Sequence, residues 1–261
     1  MDEILTDRAE GVFRIELNRP SRKNALTSAM YVALANAFDE AMKDENTNVV
    51  LWHGAGDSFC AGNDVEDFLR NPPGSEESPQ ARLMQALVAF DKPVIAAVQG
   101  AAIGGGTTML THCDIIYAGE SARFQTPFVD LALVPEFGSS YSIPARVGHI
   151  RAAEIILLGS PFNATRAMEL GFVSHVVPDD KLLTTATETA RKLAAKSSAA
   201  LRAAKRLMKR PFLEDLRSAI QAENAEFSIR VRSADAKEAL TAFLEKRPPN
   251  FNRAPTSPEA G

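Results

Sequence analysis

Three consecutive glycines, Gly104, Gly105 and Gly106, lie between an apolar run with its loop and a stretch of helical sequence. Glycine lets the backbone come close to a ligand, and the first turn of a helix has N–H groups without an intrahelical acceptor. Such N–H groups attract negative charge. The triplet therefore predicts a backbone site for a developing oxyanion, although a plain strand-to-helix turn has the same sequence.

Other glycine motifs do not fit this chain. Met109 stands where the last glycine of G-x-G-x-x-G would lie, and no G-x-x-x-x-G-K-[ST] occurs. Residues 56–60 lack the final glycine of the nucleophile motif G-x-S-x-G. Four histidines show no metal-ligand spacing and no paired cysteines, so we expect no metal: His53, His112, His149 and His175.

Glu136 is the candidate proton carrier. It follows Pro135 in the segment LVPEFGSS, where Val134 and Phe137 are apolar neighbours. Burial in such a setting would raise its pKa and make it a stronger base. The alternative is an acid at a helix N-terminus, where the helix dipole favours it. Asp130 is the other carboxylate nearby, and we interpret it as a loop or helix-start residue.

Composition limits the classes of partner. The chain has 261 residues, of which 45% are apolar, enough for one large core and a smaller appendage. Lys and Arg number 29 against 33 Asp and Glu, a net charge of −4, so we expect no nucleic-acid partner. The basic run at 202–210 is interpreted as a solvated helix face, with a local patch for an anionic ligand or RNA as the alternative.

Cysteine usage and the N-terminal sequence bear on location. Cys60 and Cys113 are too few for a disulfide framework and suit a reducing compartment. The start, MDEILTDRAEG, resembles neither a secretory nor an organellar leader. The longest apolar stretch, 93–109, is interrupted by Gln99 and several glycines, so it predicts no membrane span. We therefore expect a cytoplasmic protein.

The elements that must position these residues alternate between strands and helices. Residues 11–17 alternate apolar and polar side chains as in a half-buried strand, and Thr27 or Ser28 is a candidate cap for the helix that follows. Short apolar runs at 49–52, 94–98 and 115–117 predict strands covered on both faces. A loop is expected at 71–79. The predicted fold class is α/β, with a core at 1–195, helices at 196–251 and a disordered tail at 252–261.

Four stretches, residues 58–68, 92–106, 127–144 and 233–251, together resemble the crotonase (enoyl-CoA hydratase/isomerase) superfamily from about residue 17 to 251. The resemblance implies a spiral core of ββα repeats, an acyl-CoA substrate and no separate cofactor. It also implies that the protein assembles as a homotrimer or a dimer of trimers, with residues 196–251 as the trimerisation region. The oxyanion donors would be the backbone N–H groups of Asn63 and Gly105.

The positions of the carboxylates indicate a branch of the superfamily. Hydratases of this family use two glutamates, and at the matching positions this chain has Thr108 and Phe128. Glu136 instead resembles the single acid of the 3-enoyl-CoA to 2-enoyl-CoA isomerases. One carboxylate can remove a proton from C2 and return it at C4. The alternatives are a hydratase or other lyase with an unrecognised base, and a non-catalytic acyl-CoA-binding protein.

The resemblance also implies substrate contacts, and here the chain departs from the pattern once. Glu66 stands where some relatives have a lysine, which puts the CoA contacts there in doubt. Exposed cations such as Lys246 need no function at all, and walls of the acyl pocket are expected from residues 71–88 and from helices after 151. The implied substrate-binding residues are Lys23, Ala25, Ala61, Asp64, Val65, Glu66, Gly104, Phe243 and Lys246.

Overall fold

The computed structural model describes residues 2–72 and 78–251. The predicted tail at 252–261 and most of the predicted loop at 71–79 lie outside the described residues. The strands are β1 (Ile4–Ala9), β2 (Val12–Leu17), β3 (Val49–Gly54), β4 (Val94–Val98), β5 (Ala101–Ile103), β6 (Ile115–Gly119), β7 (Arg123–Gln125), β8 (Phe162–Asn163) and β9 (His175–Val177). The helices are α1 (Ser28–Lys43), α2 (Val65–Arg70), α3 (Pro79–Ala89), α4 (Gly105–Thr108), α5 (Ser139–Val147), α6 (His149–Leu158), α7 (Ala164–Glu169), α8 (Asp179–Ala194), α9 (Ser198–Lys209), α10 (Leu213–Arg230) and α11 (Ala234–Leu244).

The larger sheet has six strands in the order β1-β2-β3-β4-β6-β9, parallel except for the antiparallel β1–β2 pair. The predicted strands at 11–17, 49–52, 94–98 and 115–117 are all present. Residues of the central strands are buried whichever face they point to, because helices cover both faces. Alternate residues therefore belong to two cores: Val50 and Trp52 to one, Leu51 to the other.

Helices α1 and α3 lie on one face of this sheet and α8 on the other. The Thr27 hydroxyl accepts the Met30 N–H at 3.2 Å, which confirms the predicted cap of α1. Trp52 contacts Phe38 and Phe59 edge-on at ring distances of 5.4 and 5.6 Å, so it is a core residue, as expected.

A second, three-stranded sheet has the order β5-β7-β8, and two isolated parallel bridges extend it toward the first. Leu26 pairs with Asn63, and Cys60 pairs with Ala102. The Cys60 N–H donates to the Ala101 carbonyl and the Cys60 carbonyl accepts the Ile103 N–H, both at 2.9 Å. These bonds bring the segment after β3 against the segment that leads into the glycine triplet.

The basic run at 202–210 is only in part the solvated helix face that the sequence predicts: Arg206 and Arg210 are exposed, but one lysine is not. Lys205 of α9 is buried, with 5% of its surface exposed, and donates to Asp114 and to the Lys92 carbonyl at 2.7 and 2.8 Å. Arg202 and Arg206 bind Asp91. These cations attach α9 to the core, because Asp91, Asp114 and the Lys92 carbonyl face it. Among the described helices, none is long and apolar enough to cross a membrane.

Candidate active site

The Asn63 N–H is left free by the bridge that holds its neighbours. The Gly62 carbonyl accepts the Leu26 N–H at 2.7 Å, and the Asp64 N–H donates to the Leu26 carbonyl at 2.8 Å. In a parallel ladder the N–H of the residue between these two points away from the partner strand. Within residues 2–72 and 78–251 we find no acceptor for it. The Asn63 side chain is itself fixed, because Tyr31 donates its hydroxyl to Asn63 Oδ1 at 2.7 Å.

The Gly105 N–H stands at the start of α4, directly after a left-handed glycine. Gly104 has φ +55°, and its carbonyl accepts the N–H groups of Thr107 and Thr108 at 2.9 and 3.0 Å. Gly105 is the first helical residue, so its N–H has no intrahelical acceptor, and the rest of the described chain supplies none. Both free N–H groups thus belong to segments that line one cavity.

Glu136 lies beside this pair. Its side chain is buried, with 7% of the residue exposed, and Oε1 has no hydrogen-bond partner in the described chain. A methyl group built on Gly105 would stand 3.1 Å from Glu136 Oε1 and 3.3 Å from the Tyr31 hydroxyl. Burial, with a smaller contribution from the charge of Glu223, raises the pKa of Glu136 to about 8. The carboxyl is therefore a base of unusual proton affinity next to an oxyanion donor.

The backbone around Glu136 excludes the helix-cap interpretation. Helix α5 begins at Ser139, its N-cap is Gly138, and no side chain of the cap residue bonds the first turn. The Glu136 carbonyl accepts the Ser139 N–H at 3.1 Å, while its carboxyl lines the cavity. Phe137 and Gly138 both have positive φ, +60° and +71°. This reversal of the chain separates the acid from the helix that follows.

The cavity encloses about 290 Å³ and is mostly apolar. Its apolar walls are formed by Val65, Phe68, Ile103, Pro127, Phe128, Leu131, Leu133, Phe227, Leu240, Phe243 and Leu244. Helices α10 and α11 supply the last four of these. No described residue of the range 71–88 lines it, contrary to expectation, because α3 packs its apolar face against α1.

Besides Glu136, two carboxylates line the cavity, Asp64 and Glu66. Asp64 caps α2 through the Asp67 N–H at 3.0 Å and accepts from Arg19 at 2.8 Å. Burial opposes ionisation of Asp64, but these two hydrogen bonds, together with the charges of Arg19 and Arg22, outweigh it and hold its pKa below the ordinary value. Glu66 is exposed. Asp64 therefore orders the loop after Asn63.

The two positions matching the hydratase glutamates carry no acid. Thr108 is fully buried, and its hydroxyl faces the Gly105 carbonyl at 3.5 Å. Phe128 is buried at the cavity wall. Asp130 is exposed and lies outside the cavity, as the sequence interpretation required.

Most, but not all, of the residues implied as substrate contacts meet at the cavity. Those that line it are Ala25, Ala61, Asp64, Val65, Glu66, Gly104 and Phe243, together with Asn63, Gly105 and Glu136. Lys23 and Lys246 do not line it, and Arg22 does. Lys23 contributes its carbonyl to the Ala61 N–H at 2.9 Å instead. Both lysines have left-handed backbone, φ +49° and +55°.

Two residues of the site were missed from the sequence, Tyr31 and Glu223. Tyr31 lies in the apolar periodicity of α1, so the pattern indicates only a core residue. Glu223 lies in a helix of charged residues, 85 positions from the backbone group it binds, and no local pattern marks it. Among the described residues no cluster of three or more metal-binding side chains occurs.

Comparison with known proteins agrees with this geometry. The family model described as enoyl-CoA hydratase/isomerase matches residues 7–254. The chain is 33% identical to 2,3-dehydroadipyl-CoA hydratase of Escherichia coli K12, over 96% of this chain and 99% of that protein. It is 35% identical to 1,2-epoxyphenylacetyl-CoA isomerase of the same strain, over 96% and 98%.

A solved structure extends the comparison to the fold. The crystal structure of an enoyl-CoA hydratase/isomerase from Pseudoalteromonas atlantica T6c matches with a TM-score of 0.91 and 35% identity, over 96% of this chain and 100% of that one. This similarity confirms the predicted crotonase fold, and the family implies an acyl-CoA thioester as substrate. The chain with the free amides of Asn63 and Gly105 beside a buried Glu136 belongs to the enoyl-CoA hydratase/isomerase family.

Proposed function

We propose that this protein isomerises 3-enoyl-CoA to 2-enoyl-CoA thioesters. Glu136 removes a proton from C2, and the N–H groups of Asn63 and Gly105 stabilise the negative oxygen of the resulting dienolate. The same carboxyl then returns the proton at C4. The observation that carries the proposal is the single buried carboxyl next to Gly105, with Thr108 and Phe128 at the positions where hydration needs acids.

The surroundings of Glu136 suit this chemistry. A proton next to a thioester is weakly acidic, so a base with a raised pKa lowers the energetic gap of the transfer. The apolar walls limit water at the dienolate, which would otherwise compete with the carboxyl as proton donor. The names of the relatives do not choose between the reactions, because one is called a hydratase and another an isomerase.

The test is a panel of thioesters given to the purified protein. A 3-enoyl-CoA should gain the absorbance of a conjugated thioester, whereas a 2-enoyl-CoA should not lose it by hydration. Rapid hydration of the 2-enoyl-CoA that survives Glu136→Gln would favour a hydratase with another base. Tight binding of saturated acyl-CoA without turnover of any enoyl-CoA would favour a non-catalytic acyl-CoA-binding protein.

The pH dependence of kcat/KM should report the ionisation of Glu136. The base acts in its ionised form, and its pKa is raised to about 8 by burial, so the protonated form predominates at neutral pH. We expect kcat/KM to rise about tenfold per pH unit below the midpoint near 8 and to level off above it. A profile that is flat from pH 6 to 9 would contradict the assignment.

The proposal includes assembly as a homotrimer or a dimer of trimers through residues 196–251. Exposed apolar side chains on this region favour an interface there, among them Leu207, Met208 and Phe212, each more than half exposed. Sedimentation velocity should give the mass of three or six chains of 28.2 kDa. A fully active monomer would refute this part of the proposal.

A further inference from the structure

The peptide unit that joins Phe137 to Gly138, one residue beyond Glu136, is held at both of its polar atoms by buried side chains from elsewhere in the chain. The Phe137 carbonyl accepts from His112 Nε2 at 2.8 Å. The N–H of Gly138, on the same peptide, donates to Glu223 Oε2 at 2.6 Å. Burial lowers the pKa of His112 to about 4, so the ring is neutral and carries its proton on Nε2 to make this bond.

The two hydrogen bonds to His112 and Glu223, called the clamp from here on, hold a strained point of the backbone. Phe137 has φ +60°, a left-handed conformation that costs a bulky residue of the order of 1 kcal/mol or more. Such a conformation persists only where the surroundings impose it. Because Glu136 is the preceding residue, the direction of its side chain depends on the position of this peptide.

Glu223 makes two hydrogen bonds to the backbone in this region. It lies on α10, is 6% exposed, and its other oxygen accepts the Ser140 N–H at 2.7 Å. Both carboxylate oxygens thus bind the backbone at the start of α5, where the helix dipole favours a negative charge. Glu223 does not line the cavity, so it does not touch the substrate there.

The charge of Glu223 also acts on Glu136 directly. Of the titratable groups that interact with Glu136, Tyr31 on α1 and Cys60 in the preceding loop are neutral, because burial raises the pKa of each. Repulsion from the Glu223 carboxylate adds to burial in favouring the protonated form of Glu136. The N–H donors of Gly138 and Ser140 favour ionised Glu223, against the burial that raises its pKa.

We propose that Glu223 is a positioning residue of the reaction: through its bonds to the N–H groups of Gly138 and Ser140 it fixes the backbone that aims Glu136 at the substrate. The inference rests on the proposed function for its catalytic part. It also gives the C-terminal helices a role at the reacting atoms beyond the apolar walls of the cavity, since Glu223 reaches the active-site loop from α10.

The test compares Glu223→Gln with Glu226→Gln, a control on the same helix whose side chain is 45% exposed and pairs with Arg230. Glutamine keeps the size of Glu223 but loses the charge and offers one acceptor for two N–H groups. At a pH above both midpoints, where Glu136 is ionised in either protein, we expect kcat to fall about 10- to 100-fold, with the Kd of a saturated acyl-CoA within about twofold of wild type. The midpoint of the pH profile should move to lower pH, because the repulsion is gone. The control, Glu226→Gln, should match wild type in kcat, in the Kd of a saturated acyl-CoA and in the midpoint of the pH profile.

A second measurement does not depend on turnover. The titration of Glu136 followed by carboxyl ¹³C NMR should show a lower midpoint in Glu223→Gln than in wild type. If wild type does not isomerise any 3-enoyl-CoA, the proposed function fails while this titration still tests the contact. Wild-type kcat and an unchanged Glu136 midpoint in Glu223→Gln would overturn the inference. If Glu223→Gln does not fold, Glu223→Asp takes its place. Aspartate keeps the charge but has a shorter side chain, so kcat should fall while the midpoint of the Glu136 titration stays high. An unchanged kcat in Glu223→Asp would then overturn the inference.

Discussion

Replacing Glu136 with Gln is expected to lower isomerisation of a 3-enoyl-CoA by about 10³- to 10⁴-fold. The amide keeps the shape of the side chain but cannot take the C2 proton, and the described cavity offers no other buried carboxyl to replace it. Acyl-CoA affinity should be retained, because the amide is uncharged and of nearly the same size as the protonated carboxyl that predominates at neutral pH. Single-turnover rates and the Kd of a saturated acyl-CoA measure the two effects separately.

Asp130→Asn is the matched control for this change. Asp130 lies six residues before Glu136, is exposed and stands outside the cavity, so the same loss of charge should leave kcat and KM as in wild type. A near wild-type rate for Glu136→Gln would mean that the base is another group. The amides of Asn63 and Gly105 would then remain a candidate oxyanion site without an assigned proton carrier.

The parts of the site that the sequence predicts are those defined by local chemistry. The glycine triplet predicts a close backbone approach and free amides, and the structure has Gly105 at the start of α4 with its N–H unbonded. The apolar neighbours of Glu136 predict a buried acid, and Glu136 is buried. The strands follow from short apolar runs, because a strand covered on both faces needs no alternation.

The parts that it does not predict depend on contacts between distant positions. Tyr31 fixes the Asn63 side chain across 32 residues, and Glu223 binds Gly138 across 85. Neither contact leaves a pattern within one element, since a tyrosine in an apolar stripe and a glutamate in a charged helix fit ordinary packing. The buried face of the run at 202–210 was not predicted for the same reason: a basic helix is usually solvated, and only the fold shows that Asp91 and Asp114 face Arg202 and Lys205.

Gly105→Ala should lower kcat/KM for the 3-enoyl-CoA by about 10²- to 10³-fold, comparable to the loss of one oxyanion donor. The backbone accepts alanine, because Gly105 is the first residue of α4 and is not among the residues with positive φ. The added methyl, however, stands 3.1 Å from Glu136 Oε1 and 3.3 Å from the Tyr31 hydroxyl. Both are tighter than ordinary van der Waals contact, so the base, the Tyr31 support of Asn63, or the amide itself must move.

Comparison with a substitution of the neighbouring Gly106 distinguishes a loss of activity from a loss of folding stability. A methyl on Gly106 would stand 2.3 Å from the Cys60 carbonyl oxygen, a backbone atom that cannot yield, so Gly106→Ala should unfold at a much lower temperature. Gly105→Ala should melt close to wild type, because its contacts are side-chain ends. Thr108→Ser, on the same helix, should keep its activity. If Gly105→Ala melts normally and turns over at the wild-type rate, Glu136 and the Gly105 amide do not act on the same thioester.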